Sequence, residues 1–189
     1  MAAVKTVFFS VMDSPVGPLL IAATENGLRS LQFHRGKKPQ PATDEAWIES
    51  RERLQPYEEQ INAYFRGDLR EFTFELDLVG THFQKDCWRA LLRIPYGKTC
   101  SYGDIAREIG RPKSFRAVGQ ANHDNPIAIV VPCHRVVGTN GMLTGYGGGL
   151  STKEALLRLE GAKFRRPVPA ERPAKARKHA SEQQARFEY

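Results

Sequence analysis

The chain has 189 residues, a hydrophobic share of 41% and a formal net charge of +7. Its length suits one domain or two small ones with a buried core, and no apolar run is long enough to cross a bilayer. The basic balance makes nucleic acid a plausible partner, because lysine and arginine displace counterions from phosphates.

The cysteine content indicates a reducing compartment. Cys87, Cys100 and Cys133 are an odd number with no pairing pattern and no Cys-x-x-Cys pair. These features argue against a disulfide scaffold and against a structural zinc site. Residues 1–9 read as a first strand and not as a signal peptide, so we predict a cytoplasmic protein.

The first half of the chain begins with three predicted strands, at residues 4–11, 19–24 and 28–33. An Asn26-Gly27 pair is typical of a tight hairpin turn between the second and third strands. Alternating apolar and polar residues indicate one buried face. These strands predict a small antiparallel sheet, and residues 71–76 alternate in the same way and suggest a further strand.

A helix is predicted from about residue 45 to residue 65, where apolar residues recur with helical spacing. Pro56 lies inside this span and predicts an interruption. Gly67 and Asp68 close the helix. We expect a domain boundary at residues 77–81.

The second half is predicted to be mostly helical, with helices at residues 83–94, 102–109 and 115–122. Ser101 and Asp104 have the spacing of a capping box, and Ser114 precedes the third helix as a cap. Two helices joined by a glycine-containing turn form a helix-turn-helix pattern, which is a weak signal for DNA binding. Ser151 is the predicted cap of a last helix that ends near residue 161.

The tail from residue 165 to residue 189 is rich in proline, alanine and charge and has few apolar residues. This composition predicts a loosely attached or disordered segment. A solvated terminus is the favoured interpretation, and a nonspecific DNA-contacting arm is the alternative.

The candidate reactive group is Cys133, which follows an apolar, strand-like run at residues 127–131 and Pro132. A nucleophilic thiol needs a base or a positive field, and the base needs an orienting group. His134 is the candidate base if the chain bends at Pro132, and Glu160 is a candidate carboxylate. Arg135 would supply positive charge near the thiolate or a salt bridge. A buried structural cysteine is the alternative.

Several ordered motifs surround this cysteine. They are Ser101-Tyr102-Gly103-Asp104-Ile105-Ala106, Arg116-Ala117-Val118-Gly119, Asn125-Pro126, Pro132-Cys133-His134-Arg135-Val136, Gly145-Tyr146-Gly147-Gly148-Gly149, Lys153-Glu154 and Glu160-Gly161. Together they resemble the O6-alkylguanine-DNA alkyltransferases, also called methylated-DNA–protein-cysteine methyltransferases. The resemblance covers roughly residues 80 to 162, and the first half matches only in pattern.

The resemblance implies an α+β protein with three parts. Residues 1–78 would form an N-terminal, ribonuclease H-like domain with a small antiparallel sheet and a helix. Residues 79–164 would form a mostly helical domain with a helix-turn-helix, which binds DNA and accepts the alkyl group. Residues 165–189 would form the basic tail.

The resemblance also implies the reaction. The protein would flip O6-alkylguanine, or O4-alkylthymine, out of duplex DNA and transfer the alkyl group irreversibly to Cys133, once per molecule. His134 would be a water-linked base, Glu160 would orient it, and Tyr102 would donate to the base as it leaves. No metal or cofactor is needed, and we expect a monomer at the nucleoid of a bacterial or archaeal cytoplasm.

Contacts to DNA or to the flipped base are implied for Ser114, Arg116, Ala117, Gly119, Gln120, Asn125, Arg135, Val136, Tyr146 and Gly147. Arg116 would enter the base stack where the lesion leaves it, and small residues on its helix would allow close approach to the minor groove. Asn125 would brace the turn around the nucleophile. Gly147 departs from some members that carry a serine there; a backbone N–H would substitute, and the pocket would admit larger alkyl groups.

Two other functions are open on the residues alone. A helix-turn-helix module would bind alkylated DNA without chemistry, and Cys133→Ala would not change its affinity. A cysteine hydrolase using Cys133 and His134 would turn over repeatedly on an ester or amide.

Overall fold

The computed structural model describes residues 5–34, 36 and 45–166. The N-terminal half contains the strands β1 (Lys5–Met12), β2 (Leu19–Thr24), β3 (Gly27–Phe33) and β4 (Glu45–Glu49). They form one sheet in the order β3-β2-β1-β4, in which β1, β2 and β3 are the predicted antiparallel meander. The α+β class is confirmed.

The fourth strand, β4, replaces the predicted start of the first helix. It pairs with β1 in parallel, with Trp47 opposite Val7, so the sheet is mixed and not purely antiparallel. The Trp47 ring packs on Phe9 with centroids 5.9 Å apart, and Glu45 forms an ion pair with Arg29 of β3. These contacts with other strands hold residues 45–49 extended. The spacing of apolar residues in the sequence gives no information about such contacts.

The first helix, α1 (Arg51–Arg66), continues through Pro56 without the predicted interruption. Pro56 lies on the exposed side near the start, where a single backbone hydrogen bond is lost. Leu54, Ile61 and Tyr64 are buried on the opposite face. Residues 71–76 are not a strand; they contribute a single bridge to β3.

The second half contains the helices α2 (His82–Leu92), α3 (Tyr102–Glu108), α4 (Phe115–His123) and α5 (Leu150–Leu159). Ser101 and Asp104 form the predicted capping box at α3. Ser114 occupies the N-cap of α4 but makes no side-chain cap bond. Ser151 does not cap α5, because that helix begins one residue earlier, after Gly149. Short strands β5 (Cys100–Ser101) and β6 (Val136–Val137) pair in parallel.

One continuous apolar core joins the two halves of the chain. It includes Leu28 and Leu31 of the sheet together with Trp88 and Leu91 of α2. The strand β3 is also bonded directly to the second half, since the Leu31 N–H donates to the Pro126 carbonyl at 3.0 Å. The segment that leads to Cys133 is therefore anchored to the N-terminal sheet.

Residues 167–189 lie outside the described part of the chain, so the predicted loose tail stays a prediction. Within the described ranges, no helix is both long enough and apolar enough to cross a membrane.

Candidate active site

Residues 127–131, predicted to be strand-like, form a buried turn instead. The Val131 N–H donates back to the Ile127 carbonyl at 2.9 Å, and Ile129 has φ +73°. A β-branched residue rarely adopts this left-handed conformation, and neighbouring structure must impose it. Cys133–Arg135 then form one turn of 3-10 helix. The chain therefore bends directly after Pro132, which is the condition set from the sequence for His134 to act on the thiol.

Asn125 links this turn to the cysteine. Its Nδ2 donates to the Val131 carbonyl at 2.8 Å and to Cys133 Sγ at 3.2 Å. Its Oδ1 accepts from the Ile127 N–H at 3.0 Å. One side chain therefore fixes both ends of the turn and donates to the sulfur, which stabilises negative charge on it.

Cys133 borders a cavity of about 390 Å³ and is itself only 8% exposed. The cavity is lined by Tyr102, Gly119, Asn122, His123, Cys133, Gly145, Tyr146 and Gly147. Burial raises the pKa of the Cys133 thiol, although the Asn125 hydrogen bond and the Lys153 charge act in the opposite direction. The thiol is therefore protonated at neutral pH, and a base is required to activate it.

His134 and Glu160 form a fully buried pair. His134 Nε2 lies 2.8 Å from Glu160 Oε1. Burial lowers the pKa of His134, so the ring is neutral near pH 7. An ionised Glu160 accepts a hydrogen bond from Nε2–H, which leaves the lone pair of the neutral ring on Nδ1. Nδ1 is buried and has no hydrogen-bond partner among the described residues, so it is the basic atom of the pair.

Glu160 is held by four further donors. Arg135 donates through Nε to Oε2 and through Nη2 to Oε1, each at 2.9 Å. Tyr64 OH donates to Oε1 at 2.8 Å, and the Gly97 N–H donates to Oε2 at 3.2 Å. Burial would raise the pKa of Glu160, but the hydrogen bonds from His134 and Arg135 outweigh it and lower the pKa to about 2. Glu160 therefore remains charged throughout the physiological range.

Two of the residues with implied DNA contacts, Arg135 and Val136, have buried side chains. Arg135 is 7% exposed, donates to the Ile94 carbonyl at 2.6 Å and lies over the Tyr96 ring, so its guanidinium is committed to the interior. Its salt bridge with Glu160 is one of the two roles that the sequence left open. Val136 is fully buried, and its carbonyl accepts from Lys153 Nζ at 2.5 Å.

Lys153 is a buried cation that sequence reasoning left without a role. Its side chain is fully buried, and Nζ also donates to the Thr144 carbonyl at 3.2 Å. Burial lowers the pKa of Lys153 to about 8. The spacing of Lys153 in the sequence could have indicated its burial, because Lys153 lies on the same apolar face of α5 as Leu156 and Leu157.

The remaining implied contacts divide into two groups. Tyr102 and Gly119 border the cavity with Tyr146 and Gly147, and Tyr102 OH lies 3.0 Å from Thr144 Oγ1. A second group lies on α4 or at its start and is not among the residues that line the cavity: Ser114, Arg116, Ala117 and Gln120. Arg116, Ala117 and Gln120 are exposed.

The glycine-rich loop packs against the N-terminal sheet. The Tyr146 ring meets the Phe33 ring edge-on at 5.7 Å and the His134 ring at 6.5 Å. A Cβ added to Gly148 would lie 2.6 Å from the Phe33 ring, so the ring or the loop must shift to admit any other residue. No group of three or more potential metal ligands occurs within the described part of the chain.

Two family profiles match the chain. The profile described as "6-O-methylguanine DNA methyltransferase, ribonuclease-like domain" matches residues 7–78. The profile described as "6-O-methylguanine DNA methyltransferase, DNA binding domain" matches residues 82–162. A methylated-DNA–protein-cysteine methyltransferase from Methanosarcina acetivorans is 51% identical over 156 residues, which are 82% of this chain and 99% of the relative.

Solved structures agree with these matches. The crystal structure of an O6-methylguanine methyltransferase from Mycobacterium tuberculosis is 50% identical, with a TM-score of 0.75, and the match covers 82% of this chain and 93% of the other. Another M. tuberculosis structure, in complex with DNA, is 49% identical with a TM-score of 0.75 over 82% of this chain and 92% of the other. The chain therefore belongs to the 6-O-methylguanine DNA methyltransferase family.

Proposed function

We propose that this protein repairs alkylated DNA by moving the alkyl group from O6 of guanine, or O4 of thymine, to its own Cys133. The observation that carries the proposal is a buried thiol at the wall of a cavity beside a buried His134–Glu160 pair. Family membership, the names of the relatives and the DNA-bound relative support the same activity. The protein is a methylated-DNA–[protein]-cysteine S-methyltransferase, and a single reaction inactivates each molecule.

The proton of the thiol passes to His134. Cys133 is protonated at rest, and Nδ1 of His134 is the basic atom that receives the proton, with one water linking the two groups. Glu160 stabilises the imidazolium that forms, because its charge persists and its second oxygen is held by Arg135. The sulfur then attacks the alkyl carbon while the bond from that carbon to the base oxygen breaks.

The base that leaves needs a proton donor, and the gap that the flipped nucleotide leaves in the base stack must be filled. Tyr102 borders the cavity and donates a proton to the base as it leaves. Arg116 is exposed on α4 and fills the gap in the duplex. The thioether on Cys133 is stable, so each molecule acts once.

The test is transfer of label from duplex DNA that carries O6-methylguanine with a labelled methyl group. We expect wild-type protein to take up one methyl group, peptide mapping to place it on Cys133, and Cys133→Ala to take up none. Wild-type protein that binds this DNA but takes up no label would instead be a lesion-binding module. Repeated turnover on an ester would indicate a cysteine hydrolase.

The proposal also covers the domain organisation of the chain, its oligomeric state and its location in the cell. We propose domains at residues 1–78 and 79–164 and a basic tail at 165–189. The protein acts as a monomer on double-stranded DNA at the nucleoid of a bacterial or archaeal cytoplasm. Sedimentation of the free protein and its complex tests the monomer.

A further inference from the structure

Phe115 is an exposed aromatic residue with no role in the alkyl-transfer site. It is the first residue of α4, and 50% of its surface is exposed. An aromatic side chain that remains in water leaves a large apolar area uncovered, and burying it on a partner is favourable. The residues around this ring indicate what kind of molecule would cover it.

Phe115 lies on the face of α4 that borders the cavity. Residues spaced by four and seven share one side of a helix, so Phe115 lies on the same side as Gly119 and Asn122. Gly119 and Asn122 line the cavity beside Cys133. Phe115 therefore lies about 6 Å along the helix axis from Gly119, roughly one turn beyond the cavity wall.

The neighbouring residues of Phe115 carry positive charge. The Arg116 guanidinium lies 5.8 Å from the centre of the Phe115 ring, in the geometry of a cation–π contact. Lys113 and Arg111 precede the helix and are exposed. An apolar ring beside Arg116, with the exposed Lys113 and Arg111 shortly before it in the chain, suits a polyanion with stacked bases. The cations would contact phosphates, and the ring would contact base or sugar. An ordinary apolar protein surface would leave these charges uncompensated.

We propose that Phe115 is a second DNA-contacting wedge, which packs against the base step beside the flipped nucleotide while Arg116 occupies the vacated position. This inference rests on the proposed function. Apolar side chains inserted between base steps unstack them in proteins that bind the minor groove. Phe115 lowers the cost of extruding the lesion, and its ring also restrains the Arg116 side chain before DNA binds.

The experiment compares three substrates with the full-length protein: O6-methylguanine in duplex DNA, O6-methylguanine in a single strand, and free O6-benzylguanine. We expect Phe115→Ala to lower the rate of methyl transfer from the duplex by about tenfold, a value within the range for loss of one base–aromatic stack. Transfer from free O6-benzylguanine should be unchanged, since it needs no unstacking. The single-stranded substrate should show a smaller loss.

Conservative and matched variants separate the ring from general effects. Phe115→Tyr keeps an aromatic ring and should retain most of the wild-type duplex rate. Ile48→Ala removes a side chain of similar exposure, 48%, from the β4 edge and should have no effect on any substrate. A 2-aminopurine placed next to the lesion should brighten on binding wild-type protein and brighten less with Phe115→Ala.

The outcomes distinguish this inference from the function on which it rests. Equal duplex rates for wild-type and Phe115→Ala, with wild-type protein alkylated normally, would overturn the wedge and leave the repair activity intact. An equal loss on the duplex and on the free base would also overturn it, because the ring would then support the cavity. Absence of transfer from every substrate to wild-type protein would overturn the function itself.

Discussion

The Cys133 thiol and its proposed base, His134, are both buried, and in the proposed mechanism their activation depends on a charge that does not titrate near neutrality. Glu160 supplies that charge, because His134 and Arg135 hold its pKa at about 2 despite burial. We expect Glu160→Gln to lower the rate of benzyl transfer from free O6-benzylguanine by about 100-fold, the lower end of the range for general acid–base catalysis. Single-turnover mass spectrometry measures this rate.

Glu154→Gln is the matched control for this substitution. Glu154 lies on α5, the helix that Glu160 caps, and pairs with Arg158 and Arg166 at the surface, outside the proposed relay. Its loss should leave benzyl transfer unchanged. A normal rate for Glu160→Gln would contradict the orienting role of Glu160.

Gly147 is the residue at which this chain departs from some members of its family. A Cβ at this position meets nothing within 4 Å, so serine fits without strain on its neighbours. We expect Gly147→Ser to leave the melting temperature nearly unchanged and to reduce benzyl transfer relative to methyl transfer, because the added hydroxymethyl group narrows the cavity. Competition between the two alkylated bases gives the ratio directly. An unchanged ratio would show that residue 147 does not set alkyl size.

At the scale of elements, the turn that presents Cys133 depends on Asn125. Asn125→Ala removes three hydrogen bonds. It leaves the buried Ile127 N–H without its partner, while the Val131 carbonyl keeps only the Cys133 N–H. We expect a loss of about 3 kcal/mol in the free energy of unfolding, since buried groups without partners cost more than exposed ones. Urea denaturation measures it.

A matched substitution exists on an exposed turn. Asn140 also accepts from a backbone N–H, that of Met142, but it is exposed. Asn140→Ala should cost much less than Asn125→Ala. Equal losses would show that the turn before Cys133 is held by packing and not by the Asn125 amide.

Elements whose signals are local could be predicted from the sequence. The three-strand meander, the Ser101–Asp104 capping box and the helix pair α3–α4 depend on neighbours within a few residues. The strand β4 could not, because pairing with β1 about forty residues earlier decides its conformation. The turn at Ile129 could not, since β-branched residues favour strands and only distant contacts impose a positive φ.

The same contrast between local and distant signals applies to the residues of the candidate active site. Cys133, His134 and Glu160 could be singled out because the motifs carry them, and the structure pairs His134 with Glu160 and places Cys133 at the cavity wall. Tyr64 could not, because its aromatic ring fits the helical core pattern and its hydroxyl finds Glu160 only after the two halves pack.

At the scale of the whole molecule, Tyr64 connects the N-terminal half to the proton relay. Tyr64→Phe removes a donor to Glu160 Oε1, the oxygen that also holds His134. Glu160 then acts more strongly on His134, whose pKa should rise. We expect the acid limb of the pH–rate profile for benzyl transfer to move to higher pH, with a stability loss of about 1 kcal/mol.

A structural role alone would lower the rate equally at every pH, so the shape of the profile separates the two roles. Tyr57→Phe is the control, because Tyr57 also lies on α1 and its ring packs on Phe74 at 5.0 Å. Its profile should match that of wild-type protein. An unshifted profile for Tyr64→Phe would remove Tyr64 from the relay.

Acid should destabilise the protein through the same buried pair. The folded pKa of Glu160, about 2, is below its ordinary 4.5, so unfolding takes up a proton between these values. This contribution to stability is complete above about pH 4.5 and is lost as the pH falls toward 2. We expect the melting temperature of Glu160→Gln to fall less than that of the wild-type protein as the pH is lowered from about 4.5 to about 2. Parallel melting curves for the two proteins would contradict this assignment.

The contact between Gly148 and Phe33 has a consequence for how such sequences diverge. The ring of Phe33, on β3, occupies the space that any side chain at position 148 would need. A substitution at 148 is therefore easiest where residue 33 is smaller than phenylalanine. Across relatives, residue 33 in the sheet and residue 148 in the loop should vary together, although 115 positions separate them in the sequence. An aligned set of relatives with a large residue at both positions would show that the loop can shift.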